Sequence, residues 1–239
     1  MSDLPPSFPP KEPVPRHAKP EKKGGWLRET ALVVVVALTL SVIIKTFFAQ
    51  AFYIPSASME NTLNVGDRIM VNKLADDADS LRRGDVVVFV DPGGWLSESP
   101  AEPGPVMGVI TGVLSFIGIL PPNAGEHVIK RVIGMPGDHV LCCGDDGRLT
   151  VNDVPIDEYY LKPGVEPSET AFDVIVPDGQ LWLLGDNRAN SRDSRAHLGA
   201  PGGGFVPIDH VEGRAFVVTW PLDSLGGLGG GHEAFDDIP

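Results

Sequence analysis

Ser58, in Ile54-Pro55-Ser56-Ala57-Ser58-Met59, and Lys130, in His127-Val128-Ile129-Lys130-Arg131-Val132-Ile133, have the side chains that nucleophilic hydrolysis requires. A serine hydroxyl is a weak nucleophile at neutral pH. It needs a base within hydrogen-bond reach and donors for the oxyanion it creates. Lys130 lies in a short apolar run with strand character, where period-two alternation puts it on one face with Val128 and Val132. Burial of that face disfavours the ammonium and makes a neutral amine available to take the serine proton. Arg131 is expected on the opposite face, in solvent. Taken singly, such a serine reads as a turn residue and such a lysine as the guard of a sheet edge. A third segment, 185–195, shifts the balance: it follows the apolar run 181–184 and is dense in hydrogen-bonding side chains, which at a strand end suggests a built site.

These residues need a scaffold, and the chain supplies two kinds. Residues 31–44 are almost wholly apolar, and the run continues through Lys45 to Phe52. A spanning helix needs about 20 residues. The run reaches that length if Lys45 snorkels to the headgroups, which predicts a transmembrane anchor over 26–52. A cleavable signal peptide has a similar pattern, but its removal would cut into the serine motif a few residues on, so a retained anchor is expected. Residues 1–25 are rich in Pro, Lys and Glu and are expected to be a disordered tail. Lys19, Lys22, Lys23 and Arg28 just before the apolar run place that tail in the cytoplasm by the positive-inside rule, with the large domain outside and Ser58 beside the outer leaflet.

From residue 53 to 222 the pattern is nearly all strand: 67–73, 85–90, 127–133, 139–142, 148–151, 172–176, 180–184 and 214–219 are short, apolar or β-branched, and punctuated by Gly, Pro, Asp and Asn. The expected fold class is mainly β, a mixed barrel or sandwich with no βαβ rhythm and one N-terminal transmembrane helix. Residues 134–138 read as a tight turn that fixes Lys130 in register, and Asp145-Asp146-Gly147 as a hairpin tip. An insertion at 92–125, Gly- and Pro-rich at its ends, encloses an apolar amphipathic stretch at 106–120. That stretch is open to two readings, a core-packing helix or a segment resting in the outer leaflet. Residues 223–239, with their Gly226–Gly231 run, are expected to be a flexible tail.

Charge is divided along the chain. Residues 1–30 carry six Lys or Arg against four Asp or Glu, whereas the segment from Ala51 onward carries twelve against twenty-eight, so the net charge of -13 belongs to the C-terminal domain. Such acidity argues against a nucleic-acid partner. The two cysteines, Cys142 and Cys143, are adjacent and are not read as a structural staple; a vicinal disulfide, two thiols and a partner-linked pair all stay open. No His-rich or acidic cluster has ligand spacing, so no metal or other cofactor is expected.

Four segments in order, Pro55-Ser56-Ala57-Ser58-Met59, Arg83-Gly84-Asp85-Val86-Val87-Val88-Phe89, Ile129 through Asp138, and Gly185-Asp186-Asn187-Arg188 with Ser191-Arg192-Asp193-Ser194-Arg195, make the chain resemble the bacterial type I signal peptidases, or leader peptidases. The resemblance spans Trp26 to Trp220. It implies a membrane-anchored serine endopeptidase of the Ser-Lys dyad class that removes N-terminal signal peptides from exported preproteins. It also implies a single-pass protein of the plasma membrane with its catalytic domain extracytoplasmic. Ser58 then attacks and Lys130 is the base; the Ser58 backbone N–H and the Ser56 hydroxyl form the oxyanion hole. Ser191 orients the amine, Asp193 and Arg195 support its loop, and Phe52, Ile54, Met59, Leu63 and Ile129 line the substrate pockets. The implied partners are signal peptides, the lipid bilayer and the secretion translocon. The chain departs from the common family pattern at Ala57 (often Gly), Asn61 (often Pro) and Ala189 (often an acid), so no acid at 189 is required here. Two other readings compete with this one. A soluble self-cleaving regulator shares the dyad, but here the Ala124-Gly125 pair lies downstream of the serine and an anchor is expected. A catalytically silent β-scaffold differs by having no processing activity.

Overall fold

The computed structural model of the chain describes residues 25–96, 127–144 and 146–239. The tail before residue 25 and most of the 92–125 insertion, including 106–120, lie outside the described residues. Contacts divide the chain between Val42 and Ile43 into two compact units. Helix α1, Gly25–Phe47, is 23 residues long and leaves Leu32, Val33, Val36, Leu38 and Leu40 exposed. Among the described residues no helix is long and apolar enough to cross a membrane; the described side chains of α1 run without a break only from Arg28 to Ile44. The helix ends short of residue 52, to which the expected anchor extends. The chain leaves the helix at Phe47, and Ala49–Tyr53 forms strand β1, whose backbone groups pair with the next strand instead of with the preceding helical turn.

The remaining strands are β2 Arg68–Asn72, β3 Val86–Val90, β4 His127–Gly134, β5 His139–Cys142, β6 Thr150–Val151, β7 Val154–Pro155, β8 Phe172–Ile175, β9 Gln180–Leu184, β10 Val206–Pro207, β11 Val211–Trp220 and β12 Gly226–Gly227. They form two sheets. The larger runs β1-β2-β11-β3-β4-β9-β10 with β12 added to β11, and the smaller runs β7-β6-β5-β8. The domain is thus mainly β, and β1–β2, β3–β4, β4–β9 and β5–β8 all pair antiparallel.

Strand β4 carries Lys130 and lies between β3 and β9, and seven of its eight residues are buried. One side of the sheet packs Phe52, Ile54, Met59, Leu63, Ile69 and Ile129. The other packs Val87, Phe89, Val128, Val132, Leu181 and Leu183. With both faces covered, strand alternation no longer separates core from solvent. Arg131, expected in water, is instead 1% exposed. Its burial is compensated by a carboxylate, as described below.

The turn after β4 is pinned by Asp138. Its carboxylate accepts from Met135 N at 2.7 Å, from Asn152 Nδ2 at 3.0 Å, and from the Arg83 guanidinium fork at 2.7 and 2.6 Å. Burial opposes the Asp138 charge, but the Arg83 fork and these donors hold its pKa below the usual carboxylate value. Beyond the turn, Cys142 and Cys143 are bonded to each other, with Cys142 buried against the smaller sheet and Cys143 exposed.

The segment expected as a flexible tail packs onto the domain. Strand β12 pairs Gly227 with Val217 and Gly226 with Val218, and Phe235 is buried with Trp182, Phe172 and Leu184. Glycine makes this approach possible. A Cβ on Gly84 would stand 2.6 Å from the Gly231 carbonyl carbon, and one on Gly231 would collide with the Arg131 guanidinium. Both glycines have positive φ, 91° and 114°.

Candidate active site

Ser58 sits in a single 3-10 turn, Ala57–Met59, just after β1. The turn is held down from one direction by Met59 and Leu63, which are fully buried. Asn187 holds it from another: its backbone N–H donates to Ser58 O at 3.0 Å, and its Nδ2 donates to Ala57 O at 3.0 Å and to Glu60 Oε2 at 3.2 Å. The carbonyl of the candidate nucleophile is therefore tied to the loop that follows β9. Gly185 opens that loop, and a Cβ there would collide with both Ser58 O and Ser191 Oγ.

Lys130 comes from the other side of the site. It faces Val87 across the β3–β4 ladder. Its Nζ donates to Ser58 Oγ at 2.8 Å and to Ile129 O at 2.9 Å. The two side chains are 72 residues apart in sequence, yet Ser58 is only 7% exposed and Lys130 4%. Burial pushes the Lys130 amine down to about 8, against the pull of the Asp193 and Asp186 carboxylates. Ser56 Oγ lies 3.3 Å from Ser58 Oγ, on the exposed side.

The loop 185–195 is buried along much of its length, with Asp186, Asn187, Arg188, Asp193 and Ser194 each at 4% exposure or less. Asp193 accepts from Gly185 N at 3.1 Å and from Arg195 Nε at 2.9 Å and Nη2 at 2.8 Å. Burial works against the Asp193 charge, yet the Arg195 fork holds the carboxylate below its ordinary pKa. Arg195 Nη2 also donates to Arg188 O at 2.9 Å, closing the loop on itself. Ser191 Oγ is buried and makes no hydrogen bond of standard geometry to Lys130 among the described residues. It lies next to Gly185 and close enough to Asp193 to help depress that carboxylate.

The arginine expected in solvent is the other half of the site. Arg131 donates from Nε to Asp186 Oδ1 at 2.8 Å and from Nη2 to Asp186 Oδ2 at 2.6 Å, while Thr62 Oγ1 donates to Asp186 Oδ2 at 2.5 Å. Its Nη1 donates to Gly84 O at 2.6 Å and Gly230 O at 2.7 Å, and its Cζ lies 4.0 Å from the centre of the Tyr160 ring. Behind it Arg188 pairs with Glu158, both nearly inaccessible. Asn187, Thr62, Tyr160 and Gly230 were not singled out from the sequence. Asn187 lay inside the polar segment, which could have indicated it; nothing local marks the other three.

Phe52, Ile54, Met59, Leu63 and Ile129 all fall in one buried apolar cluster next to the serine turn. Among the described residues no group of three or more His, Cys, Asp or Glu could hold a metal ion. The arrangement brings together a buried amine, a hydroxyl within hydrogen-bond reach and a carboxylate-supported loop, the parts of an acyl-transfer site.

Comparison with known proteins agrees with that class. The model of the family described as "Signal peptidase, peptidase S26" matches residues 27–220. A probable signal peptidase I of Mycobacterium leprae (strain TN) is 39% identical over 236 residues, covering 87% of this chain and 81% of its own. A signal peptidase I of Leptolyngbya laminosa is 34% identical and covers 95% of this chain and 96% of its own. A solved signal peptidase I from Enterococcus faecalis V583 is 25% identical, covers 56% of this chain and 95% of that one, and has a TM-score of 0.36. The chain belongs to the signal peptidase family, peptidase S26. It is a serine endopeptidase.

Proposed function

We propose that the protein is a membrane-anchored signal peptidase I that cleaves signal peptides from exported preproteins with Ser58 as nucleophile and Lys130 as general base. The observation that carries this reading is the 2.8 Å contact between Lys130 Nζ and Ser58 Oγ inside a buried site. With the amine near 8, about a tenth of it is neutral at pH 7. In that state the hydroxyl donates its proton into the nitrogen lone pair as Oγ attacks the scissile carbonyl carbon. The carbonyl oxygen takes the electron pair and is met by the Ser58 backbone N–H and the Ser56 hydroxyl. Lys130 passes the proton to the departing amine, which leaves as the new N-terminus, and an ester remains on Ser58. Water deprotonated by the same amine then attacks the ester and restores Ser58. A preformed oxyanion donor contributes ~3 kcal/mol to such a barrier.

In this reading Asp193, Arg195 and Ser191 fix the loop beside the amine. Phe52, Ile54, Met59, Leu63 and Ile129 wall the subsites for small residues at the first and third positions before the cut, where each misfit methylene costs ~1–3 kcal/mol. Helix α1 is the anchor. Its residues from Ala31 to Ile44, apolar except for Thr39 and Ser41, supply the segment for the bilayer, with Arg28 and Glu29 at its start. The catalytic domain is extracytoplasmic, and a short chain segment from Phe47 to Ser58 keeps the reaction near the lipid that holds the substrate's apolar helix. Incubating wild type, Ser58→Ala and Lys130→Ala with a preprotein in detergent tests the assignment. Both variants are expected to lose processing at least ~1000-fold, and wild-type rates in either would reject it.

A further inference from the structure

We propose that residues 226–235 are a positioning element of the catalytic site, whose backbone closes over the Arg131 guanidinium and keeps it on Asp186, at the head of the loop that grips Ser58. The inference rests on Ser58 and Lys130 being the reacting pair. Arg131 is 1% exposed and carries a full charge, so each of its N–H groups needs a partner. Asp186 satisfies Nε and one Nη2 proton, and Nη1 depends on two backbone carbonyls, Gly84 O and Gly230 O. Half of that Nη1 coordination is therefore supplied by the C-terminal segment.

The segment is built for this contact. It is fastened on both sides: β12 pairs with β11 before it, and Phe235 is buried in the core after it. Between these fixings the backbone is held by Gly231 N donating to Tyr159 Oη at 2.8 Å and by His232 Nε2 meeting Asp85 Oδ1 at 2.8 Å. Any side chain at 231 would strike the guanidinium. The path onward to the chemistry is short. Arg131 neighbours Lys130 in β4, Asp186 precedes Asn187, and Asn187 N–H holds Ser58 O at 3.0 Å.

The charged groups around the Lys130 amine are Asp186 and Asp193 from the loop after β9, the first covered by Arg131 and the second by Arg195, with Arg188 paired to Glu158 beyond them. Loosening Arg131 leaves Asp186 less neutralised, and that carboxylate then holds the lysine proton more strongly. The midpoint of the pH–kcat profile moves to higher pH, whereas a smaller fraction of folded protein scales kcat without moving that midpoint.

The test uses the full chain in detergent with a preprotein substrate. Gly231→Ala puts a methyl group against Nη1, and Tyr159→Phe removes the hydroxyl that holds Gly231; Ser58→Ala is run alongside. Gly231→Ala is expected to lower kcat ~10- to 100-fold with KM within about twofold, and to raise the pH midpoint. Tyr159→Phe should shift both in the same direction by less, and it serves alone if the alanine variant does not fold. The proposal is overturned if the folded variants keep kcat within about twofold and the wild-type midpoint, or if losses scale only with the amount of folded protein. Normal processing by Ser58→Ala would instead remove the dyad reading beneath it.

Discussion

At the scale of single residues, Lys130 brings a stability cost together with its reactivity. Its folded pKa of about 8 lies below its ordinary 10.5, so between those values the unfolded chain binds more protons than the folded one, and stability rises with pH. Below pH 8 the cost is complete and on the order of 3 kcal/mol. Lys130→Met should therefore abolish cleavage yet raise the thermal midpoint at pH 7, with an advantage that shrinks as pH approaches 10.5; calorimetry at pH 7 and pH 10 checks both signs. For wild type, kcat/KM should climb with pH and level off above about 8, following the neutral amine. A rate that is flat from pH 6.5 to 9 contradicts this. Gly185→Ala is a third case, since its methyl group must displace both Ser58 O and Ser191 Oγ. Loss of activity of ~100-fold or more is expected in a steady-state assay.

At the scale of elements, the reacting pair is held by a central strand, a one-turn 3-10 segment and a loop, and they differ in how visible they are in the sequence. Strands 139–142 and 180–184 were legible to the residue because turn residues bound them on both sides. β1 was not, since Ala49–Tyr53 continues an apolar run with no break and only pairing with β2 makes it a strand. β7, β10 and β12 have two residues each, too few to show a period. For the site, Ser58 and Lys130 could be read from residue type and setting. The burial of Arg131 could not, because alternation predicts a wet face only where one side of a sheet is open. Its partner Asp186 lies 55 residues away, and no local pattern links them. Asp186→Ala would strand a buried guanidinium, at a cost of ~3–5 kcal/mol, and should lower the urea midpoint markedly. Chemical denaturation of the purified variant measures it.

At the scale of the whole molecule, the division at Val42 and Ile43 separates most of α1 from the β domain. A protein beginning at residue 48 is expected to keep the near-ultraviolet circular dichroism of its tryptophans and to cleave a short soluble peptide, while failing to float with vesicles as the full chain does. Loss of the folded signal would contradict the independence of the domain, and undiminished flotation would move the anchoring role from the helix to the apolar stretch 106–120. The acidic balance after Ala51 bears on the same experiment, since the net negative charge of the freed domain disfavours its approach to anionic lipid. The carbonyl of Gly230 on Arg131 has a consequence for biogenesis as well. Ribosomes deliver the chain from its N-terminus, so Ser58, Lys130 and Asp186 are all made before the residue that caps the arginine between them. A nascent chain made only as far as residue 200 still lacks that cap, and Arg131 gains its full set of partners only once Gly230 has been synthesised.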